Sequence, residues 1–136
     1  MADYSGTPLS KKLGIREGAV VVTVGAPSAL PSLLDPLPAG VKVSNRSRRE
    51  ADIILFFTTR MADLARRFED LAARLAPDGG LWVAYPKKSS GAPTDLTFSS
   101  VQEVGLEGGL VDNKSCAIDD TWSGVRFVIR LADRPK

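Results

Sequence analysis

Uninterrupted apolar runs alternate with one strongly periodic segment along this chain of 136 residues, and that alternation predicts an α/β architecture. AVVVTVG, Ala19 to Gly25, is rich in β-branched residues and bounded by glycines, so it reads as a strand covered on both faces. Pro27, Pro31, Pro36 and Pro38 leave room only for a short helical turn through residues 28–34 before a short second strand at 41–45. ADIILFF, Ala51 to Phe57, again lacks alternation and predicts a central parallel strand. From Thr59 to Leu75 the pattern changes. Met61, Leu64, Phe68, Leu71 and Leu75 recur at helical spacing, while Asp63, Arg67, Asp70 and Arg74 supply i,i+4 pairs on the opposite side. Thr58 or Thr59 is the expected N-cap, and the PDGG at 77–80 the expected stop. LWVAY predicts the next central strand. A second helix over 97–106 follows, with caps expected from Thr94, Asp95 and Thr97 and an end marked by Gly105, Gly108 and Gly109. The chain closes on VDNKSCAID, a DTWSG turn and VRFVIRL, a hairpin with one face partly wet.

Composition narrows the class of function. The length suits one α/β domain over 1–136, with residues 1–12 as a flexible polar leader and 132–136 as a flexible tail. Lys and Arg number 18 against 16 acidic residues, so bulk charge does not point to nucleic acid and any basic function is local. The run Arg46, Arg48, Arg49 beside Glu50 and Asp52 reads as a solvated turn rather than a nucleic-acid contact. No apolar run reaches the roughly 20 residues of a membrane span, and the opening MADYSGTPLSKK lacks a signal peptide's apolar core, so a cytoplasmic location is expected. There is no histidine, which removes the commonest general base and metal ligand. The single Cys116 reads as a small core residue. Asp119 and Asp120 are adjacent and point different ways in an extended chain, so they make no facing acid/base pair. Neither a catalytic residue nor a metal site is expected.

The order LGIREGAVVVTVGAP, ADIILFF, RLAPDGGLWVAYPK and GLVDNKSCAID turning into VRFVIR resembles a shortened S-adenosylmethionine-dependent methyltransferase, a Rossmann-like fold. That resemblance implies a three-layer domain with a mostly parallel sheet and a terminal hairpin whose last strand runs antiparallel. The combination of PKK, TDLT, GLVDNK and WSG is similar to a small bacterial family known only as a domain of unknown function, from YSGTPLSKKLGI almost to the end. Against the cofactor pattern, the loop after the first strand carries one glycine, Gly25, followed by Ala26, Pro27 and Ser28. Asn45 and Arg46 stand where a ribose-gripping carboxylate belongs.

If the sheet centre is parallel, the loops after Val24, Phe57 and Tyr85 open on the carboxyl edge, where open α/β sheets place ligands. A methyltransferase-like topology brings the hairpin turn there too. The candidate ligand residues are then Lys87, Lys88, Ser89, Ser90, Thr94, Asp95, Asp119, Trp122 and Arg60, with Gly25 and Ser28 as cofactor contacts. Lys87 with Lys88 or Arg60 would neutralise a phosphate or carboxylate, the serines would donate hydrogen bonds, and Trp122 would stack on a flat group. Plainer readings stand beside these: a solvated lysine loop pairing loosely with Asp119 or Asp120, helix caps at Thr94 and Asp95, and Trp122 as a packing lid. The function favoured is a small non-catalytic binding or regulatory protein that meets a small anionic molecule or a protein partner at this edge. The alternatives are a degenerate transferase using S-adenosylmethionine or a nucleotide, and a structural adaptor of a larger enzyme.

Overall fold

A computed structural model describes residues 7–46 and 50–134. Its strands are β1 (Val20–Val24), β2 (Lys42–Ser44), β3 (Ala51–Phe57), β4 (Leu75–Pro86), β5 (Leu110–Ala117) and β6 (Trp122–Ile129). The helices are α1 (Leu9–Lys12), α2 (Leu30–Leu34), α3 (Met61–Ala72) and α4 (Phe98–Glu107). The six strands form one sheet in the order β2-β1-β3-β4-β6-β5. The first four run parallel, and β6 lies antiparallel between β4 and β5. This is the Rossmann-like α/β class with the antiparallel hairpin that the sequence implies.

The apolar runs of β3 and β4 are covered on both faces, as strands without alternation require. On one face, Leu64, Phe68 and Leu71 of α3 and Val101 of α4 pack against Ile54, Phe56, Leu81, Val83 and Phe127. On the other, Leu9, Leu13, Leu30 and Leu34 from α1, α2 and the segment after α1 cover Val21, Ile53, Leu55 and Trp82. The Trp82 indole donates from Nε1 to the Leu13 carbonyl at 3.0 Å, which satisfies the polar atom of a buried tryptophan and pins the segment after α1 to the sheet.

Several local expectations are corrected. Within the stretch expected as a leader, Leu9–Lys12 is helical with Leu9 and Ser10 buried, and a 3-10 turn at Leu131–Asp133 reaches into the expected tail. The α3 N-cap is Arg60, not Thr58 or Thr59, and the helix ends at Ala72. Asp63 pairs with Arg66 at 3.0 Å rather than with Arg67, because the Arg67 guanidinium lies over the Phe56 ring at 5.5 Å. PDGG does not separate helix from strand. It lies within β4, where the pairing with β3 jumps from Ala51↔Leu75 to Ile53↔Gly80, so the extra residues bulge out of the ladder. Gly105 does not end α4 but sits inside it, where a Cβ would lie 2.0 Å from Cε1 of Phe127. The helix needs that glycine to let the ring under it.

Candidate functional site

β1, β3 and β4 end on one edge of the sheet, and the β5–β6 turn opens on the same edge, since Pro86 at the end of β4 pairs with Trp122 at the start of β6. Backbone bonds join the loops laterally. Thr58 N–H donates to Ala84 C=O at 3.0 Å, Lys87 N–H to Thr121 C=O at 2.7 Å, and Asp95 N–H to Thr59 C=O at 3.4 Å. All the candidate ligand residues predicted from sequence therefore lie along this carboxyl edge.

Most of their polar side chains are committed to the loops themselves. Asp119 Oδ1 accepts from both Thr121 and Trp122 N–H at 2.8 Å, and among the described residues the carboxylate forms no bridge to either lysine. Asp95 Oδ1 accepts from Met61 N–H at 2.7 Å, and Thr94 Oγ1 donates to Thr59 C=O at 2.7 Å. These two residues thus hold the start of α3 rather than cap the following helix. The cap of α4 is Thr97, reciprocally bonded with Ser100. Thr58 Oγ1 donates to Asp63 at 2.8 Å, and Ser90 Oγ to Lys87 C=O at 2.7 Å. Trp122 opens β6 instead of lying in the turn, and its ring meets Phe57 edge-on at 5.1 Å. The packing-lid arrangement is thus the one the indole adopts.

What this leaves is a rim whose cations are unpaired. Among the described residues, no carboxylate bonds to Lys87, Lys88 or Arg60, and both Lys88 and Arg60 are exposed. Asp120 is the turn carboxylate with no backbone duty.

The concave space on this edge lies beside β1 and β2. A cavity of about 670 Å³ is lined by Thr23, Gly25 to Ser28, Leu30, Pro31, Leu34, Leu37, Val43 and Asn45. It exists because α2 is only five residues long and cannot cover the face of β2, which leaves Val43 and Leu37 exposed. The cavity wall carries hydroxyls and one amide above an aliphatic floor, and no charged group. Sequence reasoning placed Gly25 and Ser28 here but not Leu37 or Val43. Their hydrophobicity inside proline-rich and short-strand segments was the available signal. Of the arginine run, Arg48 and Arg49 lie outside the described residues, and Arg46 N–H bonds to Ser44 Oγ at 3.0 Å.

The sequence from 40 to 131, about two thirds of the chain, matches DUF3052, described as a protein of unknown function. The chain belongs to that family. No curated protein matches the sequence. The DUF3052 chain is similar in fold to a SAM dependent methyltransferase from Aquifex aeolicus, with TM-score 0.63, 16% identity, and 88% of this chain and 87% of that one covered. It is also similar to a chain of the complex between the Haloferax volcanii Trm112 methyltransferase activator and the putative methyltransferase, with TM-score 0.62, 16% identity and coverages of 90% and 87%. The pyocyanin biosynthetic protein PhzM gives TM-score 0.68 at 13% identity, with 90% of this chain matching 53% of that one. At such identities the likeness establishes the methyltransferase-like fold alone.

Whether the residues present fit S-adenosylmethionine can be judged from the β1 loop. Gly25 has φ +69°, and a Cβ on it would lie 2.7 Å from the Phe57 carbonyl oxygen. Its freedom is thus required by the close packing against the end of β3. Asn45 offers an amide where a ribose-binding carboxylate would be, and no lining residue is acidic. The residues do not fit the cofactor as a glycine-rich loop and a carboxylate would hold it. Burial pushes the Cys116 thiol above its ordinary range, an effect only partly offset by Lys12 and Lys114, which disfavours the thiolate.

Proposed function

We propose that this DUF3052 chain is a binding protein whose ligand is a small organic anion held at the carboxyl edge of the sheet. A flat, weakly polar part of that ligand occupies the uncharged cavity of Gly25 to Ser28, Leu37, Val43 and Asn45, and its anionic end meets Lys87, Lys88 and Arg60. One observation carries the reading. The rim carboxylates Asp95 and Asp119 are held by backbone N–H groups while, among the described residues, Lys87, Lys88 and Arg60 have no carboxylate partner, so the ammonium and guanidinium groups of this edge are free to meet an anion beside an uncharged hollow. Strands lie about 4.8 Å apart, so the ends of β1 and β4, two places apart in the sheet, are about 10 Å apart, a span that a nucleotide-sized molecule covers. Ser89 remains as a further donor on the same loop, whereas the Gly91 N–H already donates to the Lys88 carbonyl at 3.3 Å. Trp122, turned onto Phe57, serves packing at this edge rather than stacking on the ligand.

The second reading, a transferase using S-adenosylmethionine or a nucleotide, draws on the methyltransferases among the structural neighbours. The loop chemistry described above argues against it. Both readings are tested by titrating purified protein with S-adenosylmethionine, its demethylated product, nucleotides, dinucleotides and acidic metabolites, and repeating any hit on Lys87→Ala/Lys88→Ala. A saturable hit lost in the double variant supports the anionic site. Binding of S-adenosylmethionine that is indifferent to the lysines favours the transferase. Silence across the panel removes the small-molecule reading and turns attention to an acidic protein partner at the same rim.

A further inference from the structure

The opposite, amino edge of the sheet holds a second cavity, of about 510 Å³, whose lining includes Lys12, Arg16, Lys114 and Arg126. Its centre is Arg126. Gly80 on the neighbouring strand has no side chain, and the Arg126 guanidinium occupies the space a side chain would fill, with Nε 2.4 Å and Nη2 2.9 Å from where a Cβ would stand. Lys114 is the direct cross-strand partner of Arg126 in the β5–β6 ladder. Like charges placed opposite each other destabilise a sheet, and here two more cations, Arg16 and Arg134, also act on Arg126. Burial, then Arg134 and Arg16, lower its proton affinity, and Asp78 opposes them.

The lining carboxylates offset this concentration of charge only in part. Asp52 Oδ2 accepts from Val20 N–H at 2.8 Å, and among the described residues neither Asp78 nor Glu17 forms an ion pair with Arg16, Lys114 or Arg126. The wall bearing Arg16 is held in place from both sides, by Trp82 Nε1 on the Leu13 carbonyl and by Lys114 Nζ on the Lys12 carbonyl at 3.0 Å. A half-buried guanidinium laid in a glycine notch, with its fork unoccupied and further cations around it, matches the two-oxygen geometry of a phosphate group.

We propose that this amino-edge cavity is a separate ligand site that binds a small multiply charged oxyanion of the phosphate or diphosphate class, with Arg126 as its bidentate anchor and Arg16 and Lys114 flanking it. The site is independent of the carboxyl edge and of any ligand held there. The test is calorimetric titration of the full chain with sodium pyrophosphate at ionic strength fixed by sodium chloride, so that general charge screening stays constant. Wild type gives a saturable single-site isotherm. Arg126→Gln, checked for folding by circular dichroism, weakens it about tenfold or more, as loss of a charged hydrogen-bonding partner does, and Lys87→Ala/Lys88→Ala leaves it unchanged. Should Arg126→Gln fail to fold, Arg16→Gln, a change at an exposed residue, takes its place and must also weaken binding. Absence of saturable heat in wild type, equal affinity in the folded arginine variant, or binding of citrate without pyrophosphate each overturns the assignment.

Discussion

The two edges of this sheet solve opposite problems with glycine. At the carboxyl edge Gly25 brings two backbones together, its Cα pressed toward the Phe57 carbonyl in a left-handed conformation, and the hollow beside it is uncharged. At the amino edge Gly80 makes room for a side chain, and the hollow beside it is lined by seven charged residues. The first glycine is a requirement of the fold. The second accommodates a movable guanidinium. The difference teaches that a glycine at the rim of a sheet is not in itself a mark of ligand approach, because the atom it admits decides what it is for.

Substituting alanine at each position tests this contrast most strongly. Gly25→Ala meets a fixed carbonyl at positive φ and should lower stability by about 2–3 kcal/mol, read by chemical denaturation. Asp119→Ala should cost about 1–2 kcal/mol because two partly buried backbone N–H groups lose their acceptor, whereas Asp119→Asn keeps an acceptor oxygen and should cost less. Gly80→Ala displaces only the flexible end of Arg126, so its stability cost should stay below about 1 kcal/mol. Its effect should appear instead as weakened pyrophosphate binding by calorimetry. The smallest change is expected for Lys87→Ala/Lys88→Ala, within about 0.5 kcal/mol of wild type, since among the described residues neither ammonium group has a carboxylate partner and the backbone bonds of Lys87 survive the substitution. Equal destabilisation by Gly25→Ala and Gly80→Ala would erase the distinction between the edges.

The fold was largely legible because its strongest signals are periodic. ADIILFF matches β3 residue for residue, and the spacing of Leu64, Phe68 and Leu71 marks the buried side of α3. Element boundaries set by tertiary contacts were less legible. The α3 start is satisfied by Asp95, 34 positions away, and no local pattern shows that a distant carboxylate does the capping. PDGG carries turn residues, but its pairing with β3 draws it into the sheet as a bulge. At the site, the sequence indicated which loops share an edge but not which side chains remain available there. Asp119 and Asp95 looked like ligand groups because their backbone partners are invisible in sequence. Nothing in VRFVIRL singles out Arg126, since the notch it fills is formed by a residue 46 positions earlier.

The most direct test of the carboxyl-edge reading is a thermal-shift screen of S-adenosylmethionine, nucleotides, dinucleotides and acidic metabolites on wild type, Lys87→Ala/Lys88→Ala and Arg126→Gln. A ligand at a hundredfold excess over its dissociation constant stabilises by about 2.7 kcal/mol, a readily measured rise in melting temperature. The account predicts an organic anion whose shift disappears in the double lysine variant and persists in Arg126→Gln. A ligand whose shift survives loss of both lysines, or a panel that moves none of the three proteins, would contradict it.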